Sequence, residues 1–178
     1  MPPRGDLLPA LAGVLNAREL FPGLATGGQP EEEHLVALRR AGCDVVLDVR
    51  DPMEPQPFDP AAAVRGAGLA YVNIPVSHGA NEDATLDRVR TMLRELALRG
   101  ERVFIYCNSG NRVGAVLIPY LILDRGFAAQ DAVTTAMQMG TRSAELVEGA
   151  LDYVRRRQLG GDAAAGEAGR GNTHASGP

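Results

Sequence analysis

Val103-Phe104-Ile105-Tyr106-Cys107-Asn108-Ser109-Gly110-Asn111-Arg112-Val113-Gly114-Ala115 is the stretch around which the chain is built. A β-branched and aromatic run ends on a cysteine, a short polar loop containing glycine follows, and an arginine opens a long apolar run. This order reads as strand, anion-binding loop and helix. A loop at a helix N-terminus aims several backbone N–H groups at one point, and the positive end of the helix dipole reinforces them. A thiol in such a place ionises more readily, and the thiolate is the nucleophilic form, so Cys107 is the candidate nucleophile. Arg112 adds a planar fork that can hold two oxygens of a phosphate or a sulfur oxyacid. A lone cysteine at a strand end is commonly just a small buried hydrophobe. Here the cysteine, glycine-bearing loop, arginine and helix occur together in the order that the chemistry requires.

Tyr106 to Ala115 resembles the signature His-Cys-x-Ser-Gly-Asn-Arg-Val-Gly-Ala of small bacterial phosphatase-like proteins related to the dual-specificity protein tyrosine phosphatases, the beta-lactamase-hydrolase-like phosphatase domains. Thr26-Gly27-Gly28-Gln29-Pro30, Val46-Leu47-Asp48-Val49-Arg50, Ala70-Tyr71-Val72-Asn73-Ile74-Pro75-Val76 and Gly140-Thr141-Arg142-Ser143 fall in that family's order, so the likeness spans roughly residues 20–155. The resemblance implies an α/β fold of the dual-specificity phosphatase type, with a short, mainly parallel central sheet flanked by helices. It further implies a phosphocysteine intermediate on Cys107. Phosphate would be bound by the loop from Asn108 through Ser109, Gly110 and Asn111 to Arg112, with Arg142 projecting towards the same anion. The departures point elsewhere. Four residues separate Cys107 from Arg112 where standard tyrosine phosphatases have five, and four is the rhodanese spacing. Tyr106 replaces the signature His, and Val113 stands where phosphatases carry a hydroxyl, both of which imply weaker thiolate tuning or leaving-group chemistry.

Three readings follow. The first is a cysteine-dependent phosphatase acting on a phosphorylated protein or a small phosphate ester. The second is a sulfurtransferase taking a persulfide onto Cys107 from a sulfur donor. The third is a weakly active phospho-binding module. A phosphatase of this kind also needs an acid to protonate the leaving oxygen. The polar loop Ser77-His78-Gly79-Ala80-Asn81-Glu82-Asp83 is where to look, with Asp83 first, His78 second and Glu82 third. Asp83 also sits where a helix N-cap belongs.

The remaining composition narrows the field. A length of 178 residues with 45% hydrophobic residues suits one soluble domain. The net charge of −4 and pI near 5.4 give no basic field for nucleic acid or an anionic membrane. All 18 basic residues are arginine, which excludes Walker-type nucleotide chemistry and lysine Schiff bases. Two cysteines and three histidines without paired spacing argue against a zinc site or a disulfide framework, so neither metal nor cofactor is expected, and a reducing cytoplasm fits best.

In chain order, residues 1–19 read as an N-terminal segment and 20–157 as the catalytic domain. Strands are expected at 20–25, 44–49, 69–76 and 102–106, and a Gly27-Gly28 turn follows the first. Helices are expected from Pro30 to Ala41, with His34 facing solvent, and at 59–66, 85–99, 113–123, 129–139 and from about 140 to 157. Pro119 should kink its helix. Arg50, Asp51 and Glu54 follow a strand in a proline-rich loop of the kind that lines ligand sites in α/β sheets, although ordinary solvated charge is the commoner fate of Asp51 and Glu54. Residues 158–178, rich in Gly and Ala, read as a disordered tail. Cys43 and Cys107 fall at opposite ends of parallel strands, too far apart for a disulfide.

Overall fold

The computed structural model of the protein describes residues 5–170, with 162–170 as backbone alone. After a single 3-10 turn at Leu8–Leu11 come β1 (Arg18–Phe21), β2 (Leu24–Gly27), α1 (Glu32–Arg40), β3 (Val45–Asp48), α2 (Pro60–Gly66), β4 (Ala70–Asn73), α3 (Asp83–Leu98), β5 (Val103–Tyr106), α4 (Asn111–Leu123), α5 (Ala129–Gln138) and α6 (Ala144–Arg170). The strands form one sheet in the order β1-β2-β5-β3-β4, antiparallel between β1 and β2 and parallel elsewhere. This is the expected α/β sheet with helices on both faces.

β5 is central because it is apolar at every position. Strands whose two faces are both covered lose the polar alternation of half-exposed ones, and all four residues of β5 are buried. Period-two geometry sends Phe104 and Tyr106 to one face, where they meet Leu7, Leu11, Leu35, Leu38 and Val64. Val103, Ile105 and Cys107 face the other way, into a larger core with Leu86, Val89, Leu117, Leu121, Met139 and Tyr153. α4 lies inside that second layer, buried from Arg112 to Leu121, which is why its sequence is apolar almost all round. It runs on through Pro119 as one helix.

Several local expectations are corrected. The strand expected at 20–25 is a hairpin. Pro22 and Gly23 form the two-residue connection between β1 and β2, with Gly23 at φ +86°, the pairing of fixed φ and left-handed glycine that a type II turn requires. Gly27 is then the end of β2 rather than a turn. His34 does not face solvent freely. Its Nδ1 accepts from the Glu31 backbone N–H at 2.9 Å, closing a capping box, and its Nε2 lies 2.9 Å from the Ala12 carbonyl. Asp83 begins α3, whose N-cap is Glu82. α6 continues past residue 157, where a disordered tail was expected, and reaches Arg170. Ala163, Ala164 and Ala165 favour helix by propensity. Residues 171–178 of the expected tail lie outside the described residues.

Asp59 caps α2 as expected, its side chain accepting from the Ala62 N–H at 3.0 Å, and Pro60 occupies the first turn. Cys43 precedes β3 and Cys107 follows β5. Because Val45 pairs with Val103 in parallel register, the two thiols sit at opposite ends of the sheet, and both are free. Among the described residues, no helix is long and apolar enough to cross a membrane.

Candidate active site

Cys107 leaves the carboxyl end of β5, and the chain turns through Asn108 and Ser109 to Gly110, the N-cap of α4. Gly110 sits at φ +90°, and an added Cβ would collide with the Met139 carbonyl, so glycine is required twice over. The loop's carbonyls are drawn outward by their surroundings. Asn108 O accepts from the Gln29 N–H at 3.0 Å, Ser109 O from Asn16 Nδ2 at 2.8 Å, and Asn111 O from Thr141 Oγ1 at 3.0 Å. A peptide whose carbonyl is held outside the loop turns its N–H the opposite way. The Gly110 N–H already donates to Cys107 Sγ at 3.1 Å. With α4's N-terminus directly behind, the loop is a preformed anion cradle.

Arg112 follows one residue into α4 and is almost wholly buried, with a side-chain exposure of 2%. Its partner is Glu54, in the proline-rich loop after β3. Nη1 donates to Glu54 Oε1 at 2.5 Å and Nη2 to Oε2 at 3.0 Å, and Nη1 also donates to the Val76 carbonyl at 3.2 Å. Guanidinium has five N–H donors. This arrangement uses both donors of Nη1 and one of Nη2, leaving the parallel Nε–H and second Nη2–H, the edge that matches two oxygens of an oxyanion. Glu54 therefore holds the fork by its end and leaves the side to the Cys107 sulfur, with which the guanidinium also bonds. Burial pulls the Arg112 guanidinium down, but Glu54 and then the nearby Cys107 sulfur outweigh it and raise Arg112 above its ordinary value. Arg112 in turn holds the Glu54 carboxyl down to about 2.

Arg50 stiffens the same loop. It donates to Glu54 Oε2, Gln56 Oε1 and the Pro55 carbonyl, and Nη1 also bonds Gln29 Oε1. Above Arg112 opens a cavity of about 450 Å³, walled by the loops around Asp51 to Glu54 and Pro75 to Glu82. His78 and Glu82 line it, and His78 Nε2 lies 3.7 Å from Glu54 Oε1. Arg112 is the cradle residue that lines this cavity; a larger groove of about 630 Å³ between α1 and α2 does not touch Arg112, and Cys107 lines neither.

The structure thus brings Cys107, Asn108, Ser109, Gly110, Asn111 and Arg112 together and does not bring in Asp83 or the Arg142 guanidinium. Asp83 turns towards α6, where Arg156 donates to both of its carboxylate oxygens, and that contact holds its carboxyl below the usual carboxylate range. Arg142 Nη1 donates to the Met137 and Thr141 carbonyls, capping the end of α5. Only its backbone N–H reaches the loop, donating to Asn111 Oδ1 at 2.7 Å. Glu54, for which ordinary solvated charge was the preferred reading, is the Arg112 partner, while Asp51 is exposed as expected. Asn16 was missed entirely. Its left-handed backbone at φ +54° is the one trace of its role, since Asn tolerates that region better than most residues.

No family model matches the sequence, and no curated protein matches it significantly. Solved structures do match. Tk-PTP in its active form aligns with a TM-score of 0.70 and 20% identity, over 79% of this chain and 97% of that one. The chain has the fold of the tyrosine and dual-specificity phosphatases. A DUF442 phosphatase from Shewanella putrefaciens CN-32 aligns equally well, with a TM-score of 0.70, 21% identity and coverage of 84% and 97%. A cysteine-to-serine form of P. aeruginosa TpbA, solved with pTyr, aligns with a TM-score of 0.63, 22% identity and coverage of 79% and 83%. In this phosphatase fold the cradle at the end of β5 lies where parallel α/β sheets bind ligands, outside the strands' carboxyl ends.

Proposed function

We propose that this chain is a cysteine-dependent phosphatase for phosphomonoesters. The observation that carries the reading is the Nε/Nη2 edge of Arg112, left uncovered by Glu54 and turned to the Cys107 sulfur, beside a loop whose Gly110 N–H also donates to that sulfur. The Cys107 thiolate attacks phosphorus, the P–O bond to the leaving group breaks, and a phosphocysteine forms. The amides from Asn108 to Arg112 and the Arg112 fork bind the three equatorial oxygens, where charge accumulates in the transition state. Water then attacks phosphorus, breaking the P–S bond and returning the thiolate with inorganic phosphate.

The leaving oxygen takes its proton from the cavity wall. We assign this role to His78, which lines the cavity beside Glu54, in preference to Asp83, whose carboxylate is engaged by Arg156. Glu82 on the same wall is the alternate donor. A reducing compartment such as the cytoplasm would keep Cys107 as the thiol the reaction needs.

The test is phosphate release from an aryl phosphate by wild type, Cys107→Ser and His78→Ala. Release that vanishes with Cys107→Ser supports the reading. A loss in His78→Ala that is large for a poor leaving group and small for nitrophenolate supports His78 as acid. Absence of release from folded wild type refutes the phosphatase reading.

A further inference from the structure

The charge around the cavity is unusual for a site that binds a dianion. Its wall carries three carboxylates, Asp51, Glu54 and Glu82, against one guanidinium, Arg112, with His78 beside them. Glu54 is paired with both Arg112 and Arg50, a cluster with one net positive charge. Asp51 and Glu82 are exposed, and neither has a cationic partner among the described residues. The arginines of the neighbouring loops and helices have other hydrogen-bond partners. Arg50 is buried against Glu54 and Gln56, Arg142 caps α5, and Arg156 holds Asp83. The chain has no lysine to add. One phosphate is therefore met by the cradle and the Arg112 cluster, while the rim around it carries two carboxylates, Asp51 and Glu82, without an ion-pair partner among the described residues.

We propose, resting on the phosphatase reading, that the substrates are phosphorylated residues in arginine- or lysine-bearing peptide segments, selected by Asp51 and Glu82 at the rim. The phosphate cradle makes the site, and the two carboxylates decide what may accompany the phosphate. A polyphosphorylated lipid headgroup would bring a second phosphate against these carboxylates with no free guanidinium to receive it. A cationic side chain next to the phosphorylated residue meets attraction instead. The side chain of Met53, at 90% exposure, is the bare apolar tip of the loop that carries Asp51, and it offers a peptide non-polar contact beside the charge.

The experiment compares kcat/KM for two phosphotyrosine peptides of equal length, one flanked by arginines and one by glutamates, with a neutral aryl phosphate as reference. The enzymes are wild type and the double variant Asp51→Asn, Glu82→Gln. Preference is read as the ratio between the two peptides on the same enzyme, so any change in turnover common to both cancels. At low salt the arginine peptide should be preferred by about tenfold, with the ratio falling several-fold at high salt as screening shortens the reach of exposed charge. The double variant should bring the ratio near one. Equal or reversed ratios in wild type, an undiminished ratio in the double variant, or faster turnover of a bisphosphorylated inositol headgroup would each overturn the proposal while aryl phosphate turnover leaves the phosphatase reading standing. No turnover of any substrate by wild type would overturn both.

Discussion

Glu54→Gln keeps the shape of the side chain and one acceptor but removes its charge, leaving Arg112 buried without a counter-ion. The magnitude follows from the partners of Glu54. Arg112 first, with the Asp51 N–H and Arg50 behind it, lowers the Glu54 carboxyl from 4.5 to about 2 against the cost of burial, and at about 1.4 kcal/mol per pKa unit that drop corresponds to about 3 kcal/mol for all these partners together. Glu54 keeps 20% of its side-chain surface at the cavity mouth, and solvent screening there brings the figure to about 2 kcal/mol. Between pH 4.5 and about 2 the unfolded chain binds a proton at this carboxyl that the folded chain refuses, so stability rises with pH across that window. The contribution is fully present above the unfolded value and lost as pH falls through the folded one. Urea unfolding at pH 7 should show the variant less stable by about 2 kcal/mol, or about 4–8 °C in Tm. The gap to wild type should narrow as pH falls from 4.5 towards 3. Aryl phosphate turnover should drop by about tenfold to hundredfold, because an unheld fork no longer presents its Nε/Nη2 edge to the phosphate. Unchanged stability at pH 7 would refute the energetic argument. Tighter vanadate binding by the variant would refute the geometric one, since Glu54 would then be competing for Arg112 rather than aiming it.

Asn16→Gly keeps the left-handed backbone but deletes the amide that holds Ser109 O. Its turnover should fall by about tenfold with little change in Tm, since loosened positioning costs rate before it costs stability. Burial pushes the Cys43 thiol up to about 11, so iodoacetamide at neutral pH should leave Cys43 unmodified by mass spectrometry until the protein is unfolded. Gly114→Ala would place a Cβ against Thr141 Oγ1 and 2.6 Å from the Ala136 carbonyl, forcing α4 from α5 at a cost of about 1–3 kcal/mol, readable as a lower urea midpoint. Tyr106→Phe removes one donor to the buried Asp48 and should cost about 1–3 kcal/mol in urea unfolding.

What the sequence made legible was the part of the site built from neighbours in the chain. A strand buried on both faces, a cysteine at its end, a glycine that must be left-handed and a helix apolar all round are written contiguously from Val103 to Leu123, and local rules of period and turn chemistry read them in order. The hairpin at Pro22-Gly23 was missed for a related reason. Phe21 and Leu24 are apolar on both sides of the turn, so hydrophobicity ran through a point where the backbone reverses, and the Pro-Gly signal was outweighed. The supporting contacts lie beyond such rules. Glu54 meets Arg112 across 58 positions, and Asn16 reaches Ser109 across 93. Nothing in periodicity separates Glu54 from Asp51 three residues away. Only folding shows that one lies over the guanidinium and the other over solvent.

Tyr106 shows how a departure from the family signature changes meaning once the strand is placed. Replacement of the signature's histidine suggested weaker tuning of the thiolate. Yet residues 106 and 107 point to opposite faces of the sheet, and Tyr106 stacks on Phe104 in the layer away from the cradle. Its hydroxyl donates to Asp48 Oδ2 at 2.9 Å, as does that of Tyr71, while the Arg50 backbone N–H donates to Asp48 Oδ1 at 2.8 Å. Burial raises the Asp48 carboxyl, and these three donors oppose it. Asp48 is the last residue of β3, where the chain leaves the sheet for the loop that carries Arg50 and Glu54. Tyr106 therefore reaches the chemistry along Asp48, Arg50, Glu54 and Arg112, by fixing the loop that aims the guanidinium. A residue next to Cys107 in sequence thus acts on the other half of the site.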